Sequence, residues 1–581
     1  MIRKLNKILV ISMEFLSYFL FREKNKLEFS VQNESLYSSY PTNETKIDWN
    51  FRVFSNDIMR FDESSFNLHS QDKINKLKNF HHFIKIRSDR TYDIKVPWEI
   101  GRLNFLTEQS IRNCAILSDM QKVSDISAFS NVGFGVQWKC AMDVALRAIT
   151  IVLLNRYQKS GLGQFSPLLS DSLSYILLNL EKYGDWRGNH YLSNLAGLLI
   201  CAAHDDSSRA NKLFDFALIE LNVELDRQFL SDGANFEGST AYHFFGLELL
   251  SIIHTVLKNI DYEGRIEHYK NPYLITNLGL KKCQFSPSIF KKVISKLESK
   301  IANGLEFAVA VLDNNGRLIQ IGDNDSGRVF RTCYLNDYAP DFYADILYQI
   351  SESLKNEKFP CLVASRDFYL DYLNNFRNCS TASEFGIDQL LAFNKNFDTI
   401  DKNCKKTHVF RLGSDCSEFK IKYFDCFGLV VARSHDSILT FRCGQIGQFG
   451  KGGHDHYDQL SITLTTDGNR LISDPGVGCY TKDIYIRNKY RSSKSHFGVH
   501  GKKDFDDIGD LFRINSTSSK LIAIAHGEIL GFQQIGDVEK YRKIELLKGK
   551  VIIKDVIVND ELSNSYEEIP YSPGYGIIED E

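Results

Sequence analysis

No C-x-x-C pair occurs among the 12 cysteines, which are scattered irregularly over 581 residues. That spacing excludes a disulfide framework and fits buried free thiols or a reducing compartment. The chain also lacks an excess of charge of either sign: Lys+Arg 70 against Asp+Glu 73 leaves a net charge of −3. A nucleic-acid binder would carry a basic footprint, and there is none. Nor does the N-terminus offer a comfortable membrane span. Lys4 and Lys7 precede the apolar run Ile8–Phe21, but Glu14 interrupts it and no small-residue cleavage site follows. The run is too short to cross a bilayer and poor as a signal peptide. We expect an amphipathic first helix there and no integral membrane span.

What is present is an ordinary globular composition, 43% hydrophobic and 25% charged, over a length that calls for two or more cores. Aromatics, at 12%, suit a sugar-binding groove but serve cores equally well. A polar, charge-rich stretch runs to about residue 95, and helical periodicity follows. Ala141, Val144, Ala145, Ala148 and Val152 share one helical face, as do Leu192, Leu195, Ala196, Leu199 and Ala203. A long series of helices with no strands between them predicts an α/α solenoid or toroid. Beyond about residue 400 the pattern alternates. Phe419–Tyr423, Gly428–Arg433, Ile438–Arg442, Leu460–Thr465, Ile522–His526 and Val551–Val558 read as strands of stacked antiparallel sheets. The expected division is a helical or irregular segment (1–95), an (α/α) domain (96–400) and an antiparallel β domain (401–581).

The densest chemistry lies in Gly452–Gly476, GGHDHYDQLSITLTTDGNRLISDPG, and in Arg491–His496, RSSKSH. If His454 and His456 open a strand, they share a face. With Asp474 in its turn and His496 downstream, they supply the N/O ligands a zinc site needs. Each piece alone reads as a polar sheet face and a turn.

Taken together and in this order, the pieces closely resemble the C-terminal region of the heparinase II/III family of polysaccharide lyases. The helical half resembles it too, in VPWEIGRL (Val96–Leu103), YGDWRGNHYLSN (Tyr183–Asn194), DGANFEGSTAYH (Asp232–His243) and IGDNDSG (Ile321–Gly327). The resemblance implies an N-terminal incomplete (α/α) toroid followed by a C-terminal antiparallel β-sandwich. It implies β-elimination on an acidic polysaccharide or oligosaccharide containing uronic acid. Such a reaction needs a group that neutralises the uronate carboxylate, a base for the C5 proton and an acid for O4. By the resemblance, Asn189 is the neutralising group, His190 assists it, Tyr242 is the general acid and His454 faces the sugar. Glu237 orients its neighbours. Arg491 binds a substrate carboxylate or braces its loop. His456, Asp474 and His496 hold one structural zinc (Zn2+), with His500 the substitute ligand. Relatives are often exported, so the resemblance implies the cell envelope or periplasm, although no clear signal peptide is present; the cytoplasm is the alternative. The polymer and the oligomeric state stay open.

Two other readings compete. A glycoside hydrolase on an α/α toroid would need a carboxylate pair, Asp232/Glu237 or Asp323/Asp325, but leaves the histidines unexplained. A non-catalytic glycan-binding or assembly protein would keep the scaffold without the chemistry.

Overall fold

The computed structural model describes residues 50–52, 58–60, 93–104, 106–107, 132–158, 166–184, 187–205, 207–265, 271–330, 332–334, 340–377, 381–413, 418–506, 508, 510–574 and 578. The expected first helix lies outside these residues. From Lys95 the chain builds helix on helix, with long members at Ala141–Gln158, Ser166–Leu178, Asn189–Ala202, Ser208–Gln228, Thr240–Lys258, Pro287–Ala310 and Ala344–Asn356. Successive helices pack on one another as an incomplete (α/α) toroid.

Thr240–Lys258 is the innermost helix. Its apolar residues run all round rather than along one stripe, and every residue from Thr240 to Leu257 is buried. Among the described residues it alone is long and apolar enough to cross a membrane, and it is wholly enclosed by its neighbours. Ser239 starts it: the hydroxyl accepts from the Tyr242 amide at 3.2 Å, satisfying one of the helix's unpaired N–H groups. That cap fixes where Tyr242 leaves the first turn.

Ten strands follow the helices: β1 (Lys405–Arg411), β2 (Lys420–Phe424), β3 (Leu429–Arg433), β4 (Ser437–Arg442), β5 (Ile462–Thr466), β6 (Asn469–Ile472), β7 (Ser519–Ala525), β8 (Glu528–Ile535), β9 (Val538–Leu547) and β10 (Lys550–Val558). They make two five-stranded antiparallel sheets, β6-β5-β4-β3-β2 and β7-β8-β9-β10-β1. Val430, Ala432, Leu439 and Phe441 of the first sheet pack against Ile524, Ile529, Ile544 and Ile553 of the second. This is a β-sandwich. Alternation sends Leu429, Val431 and Ile438 the other way, into the core shared with the helices. A sheet buried on both faces explains why β3 and β4 read as near-continuous apolar runs. Each fully buried Val, Leu or Ile contributes roughly 1.5–3 kcal/mol, so the sandwich and the toroid are joined by core rather than by a linker. The nine described cysteines are all free thiols.

Candidate active site

His454 and His456 do not open a strand. They lie in the loop before β5, whose ladder begins at Ile462. The expectation of a strand fails because Gly452 and Leu460 both take positive φ, which breaks extended geometry on either side. The common orientation survives, because His454 and His456 both reach Asp323. Asp455 points away, to Arg442 and to the amide of Gly447. Two glycines allow this loop to approach the helical half. A Cβ on Gly238 (φ +79°) would lie 2.3 Å from the Asp455 carboxylate, and one on Gly322 (φ +68°) 2.4 Å from the His454 carbonyl.

Tyr242 and His454 meet across the boundary between helices and sheets. Their rings stack with centroids 3.8 Å apart. The Tyr242 hydroxyl donates to Asp325 Oδ2 at 3.2 Å and lies 2.6 Å from the Tyr480 hydroxyl. Tyr480 in turn is 3.1 Å from His454 Nδ1. Lys95 pairs with Asp325 at 2.5 Å and sits over the Tyr480 ring. Burial, reinforced by Asp325, Tyr480 and Asp323, holds the Tyr242 phenol well above its ordinary pKa. Tyr480 is raised by burial and by Asp323. Both stay protonated at neutral pH. Burial would push Asp323 and Asp325 up as well. Arg487 with the two histidines outweighs it at Asp323, and Lys95 with Arg102 outweighs it at Asp325, so both carboxyls fall below their usual range.

Asn189 is the first residue of its helix, not the cap, which is Gly188. Its amide nitrogen donates to Glu237 Oε1 at 3.0 Å and to Oε2 at 2.9 Å, and its backbone N–H donates to Oε1 at 2.9 Å. Glu237 therefore orients Asn189. The Asn189 Oδ1 is buried and has no hydrogen-bond partner. His190 Nδ1 lies 2.9 Å from Glu181 Oε1 and 3.7 Å from the Cys140 sulfur. Its side chain is 46% exposed; partial desolvation lowers its pKa, but Glu181 raises it more, so the net shift is upward. Arg491 is fully buried and committed to its own loop. It donates to the carbonyls of Leu511 and Asp510 and to Asn488 Oδ1 at 2.6–3.0 Å. Bracing, not contact with a ligand, is what these bonds accomplish.

His456, Asp474 and His496 form a buried group whose candidate ligand atoms all lie within 4.8 Å of one another. Asp474 accepts the Gly476 amide with Oδ1, the expected turn bond, and turns Oδ2 to His496 Nδ1 at 3.0 Å. That contact is close but not aligned as a hydrogen bond. His456 Nδ1 and both His496 ring nitrogens are left buried without a hydrogen-bond partner. Orphaned imidazole nitrogens beside a carboxylate are what a bound cation would satisfy, so the residues fit a metal ion. His500 is not in the group. Its Nε2 faces the His496 carbonyl at 3.1 Å, and burial pushes its pKa down to about 4.

Sequence reasoning missed Tyr480, Arg487 and Lys95, and placed Asp323 only in a family-like segment and in a carboxylate pair. Tyr480 follows Asp474 by six positions, but a tyrosine in a Gly-rich segment carries no spacing signal of its own.

Residues 418–517 match the family model described as heparinase II/III-like, C-terminal, and residues 156–275 match that of the heparinase II/III N-terminus. No curated protein matches the chain. Among solved structures, a crystal structure of heparinase III is 13% identical over 94% of this chain and 75% of its own length, with a TM-score of 0.50. The heparan sulfate lyase HepC from Pedobacter heparinus is 13% identical over 95% of this chain and 76% of its own, with a TM-score of 0.39. At such identity the heparinase III likeness speaks to the fold, an α/α toroid joined to a β-sandwich. One heparinase II/III family model thus matches in the helical half of this chain and another in its sheets, in the order that its motifs imply.

Proposed function

We propose that the chain cleaves a uronate-containing polysaccharide by β-elimination and holds one structural zinc ion on His456, Asp474 and His496. The observation that carries this reading is the stack of a protonated Tyr242 on His454 at 3.8 Å, inside a hydroxyl and carboxylate network drawn from both halves of the chain. An acid and a base on neighbouring rings match the two proton transfers of elimination.

In the proposed reaction His454 Nε2 takes the C5 proton. The C5–H electron pair becomes the C4–C5 double bond, the C4–O4 bond breaks, and Tyr242 gives its phenol proton to O4. Tyr480, in contact with the Tyr242 oxygen, donates to the phenolate that forms. His190 supplies the positive charge that answers the uronate carboxylate, and Asn189, whose Oδ1 is left to accept, holds a sugar hydroxyl beside it. The proton gained by His454 and the one lost by Tyr242 exchange with solvent before the next turnover. When bound, zinc would tie the His456 loop, the Asp474 turn and the His496 segment together.

The hydrolase reading is disfavoured by charge. Asp323 and Asp325 are both held ionised, so neither serves as the protonated carboxylic acid that a glycosidase needs. Glu237 is occupied in holding Asn189. The test is a panel of heparan sulfate, heparin, alginate and bacterial uronate polymers, read both by the ultraviolet absorbance of the new double bond and by reducing ends. Both signals rising together supports elimination. Reducing ends without absorbance means hydrolysis, and neither signal means a non-catalytic scaffold.

A further inference from the structure

Asp323 is fully buried, and each of its oxygens is used twice. Oδ2 meets His454 Nδ1 at 3.0 Å and Arg487 Nη2 at 2.8 Å. Oδ1 meets His456 Nε2 at 3.2 Å and Arg487 Nη1 at 3.0 Å. Its backbone is fixed as well. The amide donates to the His454 carbonyl at 2.8 Å, and its carbonyl accepts from the Ser239 hydroxyl at 2.5 Å. That same hydroxyl caps the helix carrying Tyr242.

We infer that Asp323 is a positioning residue that sets the tautomers of His454 and His456 together, joining the metal centre to the reacting centre through one carboxylate. The inference rests on the proposed lyase reading for His454 and on the buried ligand group for His456. A carboxylate clamped by an arginine fork only accepts hydrogen bonds, so each ring nitrogen facing it carries the proton. For His456 this leaves the Nδ1 lone pair bare, and Nδ1 is the nitrogen found buried without a partner. The structure thus assigns metal binding to Nδ1, with Nε2–H held from behind by Asp323. Metal-ligating histidines are commonly oriented this way. For His454 it leaves the Nε2 lone pair for a substrate proton. The other neighbour of His454 Nδ1, the Tyr480 hydroxyl, both donates and accepts, so it does not decide the tautomer. Arg487 completes the device by meeting both oxygens at once and preventing the carboxylate from turning toward one histidine.

Asp323→Asn keeps the shape but turns one acceptor into an N–H donor, so one imidazole must adopt the other tautomer. The experiment uses the full chain loaded with zinc and labelled with 15N at histidine. In the wild type, long-range proton–nitrogen spectra should show His454 protonated at Nδ1 and His456 at Nε2, with His456 Nδ1 shifted by the metal. The opposite tautomers would overturn the inference without any variant. In Asp323→Asn, zinc affinity measured by chelator competition should fall by about 10–100-fold. The histidine pattern should change, and kcat should drop more than KM rises. Arg487→Lys, which keeps the charge but loses the fork, should show the same changes more weakly and guards against a misfolded first variant. Wild-type zinc affinity and an unchanged histidine pattern in Asp323→Asn would refute the proposal, as would a wild-type chain that takes up no zinc. The spectra and the affinity need no substrate. A failed polymer panel with these readouts intact therefore removes the lyase reading of His454 and leaves the coupling standing.

Discussion

Tyr242→Phe separates catalysis from structure because it deletes one oxygen and leaves the ring. The stack on His454 at 3.8 Å depends on the ring and should persist. Two hydrogen bonds disappear, to Asp325 at 3.2 Å and to Tyr480 at 2.6 Å. Neither partner is stranded. Asp325 keeps Lys95 and the Gly327 amide, and Tyr480 keeps His454 Nδ1. The stability cost should therefore be about the net value of an ordinary buried hydrogen bond or two, roughly 1–3 kcal/mol. If Tyr242 is the acid, turnover should fall by at least about 10²-fold, equivalent to roughly 2.7 kcal/mol of barrier. Initial rates by ultraviolet absorbance on the polymer that the wild type cleaves should be set beside thermal unfolding of the same preparation. Normal turnover in Tyr242→Phe would refute the assignment. So would a loss of rate no larger than the loss of folded protein.

Three further outcomes follow from the same geometry. Purified chain should contain about one zinc, on the three-ligand site, and a His456→Ala/His496→Ala double variant should lose it and loosen the β domain; wild-type zinc content in that variant would sink the ligand set. The His190 pKa, followed by NMR, should lie above that of a free histidine, and Glu181→Gln should lower it. Because the folded value is raised, the stabilisation from this pair is complete below the unfolded pKa and is lost as pH rises through the folded one; a midpoint unmoved by Glu181→Gln contradicts the pairing. Arg491→Ala should cost stability through three abandoned acceptors while leaving KM nearly unchanged; a large rise in KM with unchanged stability would restore a substrate-binding role.

The toroid and the sandwich were legible because each rests on periodicity, and periodicity is a local property. The alternation in β3 and β4 was visible, but its second meaning was not. Leu429 and Val431 face the helices while Val430 and Ala432 face the other sheet, and only the packing distinguishes the two sets. The metal group was readable from ligand types and family order. The His454–His456 loop was mistaken for the start of a strand because i, i+2 spacing says nothing about positive φ at Gly452 and Leu460. Tyr480, Arg487 and the clamping role of Asp323 were invisible for a stronger reason. Their roles are set by contacts across 131 to 238 positions of sequence, which no local pattern encodes.

The charge balance of the network also indicates where substrate recognition must come from. Asp323 is matched by Arg487 and Asp325 by Lys95, so these contacts are neutral before any sugar arrives. The proposed uronate substrate would add one negative charge, and elimination would push further charge onto its carboxyl. Beside side chains as buried as these, an unmatched charge is costly. Arg491 cannot supply the balance, because its guanidinium is bound to its own loop. The N-terminus of the Asn189–Ala202 helix cannot supply all of it, because Glu237 already occupies the Asn189 N–H. Of the residues proposed for the site, His190 is left as the group able to answer with positive charge, and Glu181 raises its pKa in that direction. Affinity for the uronate should then weaken as pH climbs through that raised value. Tyr242, the proposed acid, remains protonated over the same range, because burial and its carboxylate neighbours hold it far higher. Binding and proton donation would thus be lost at different pH values, and a KM that rises before kcat falls on the alkaline side is the signature of that separation.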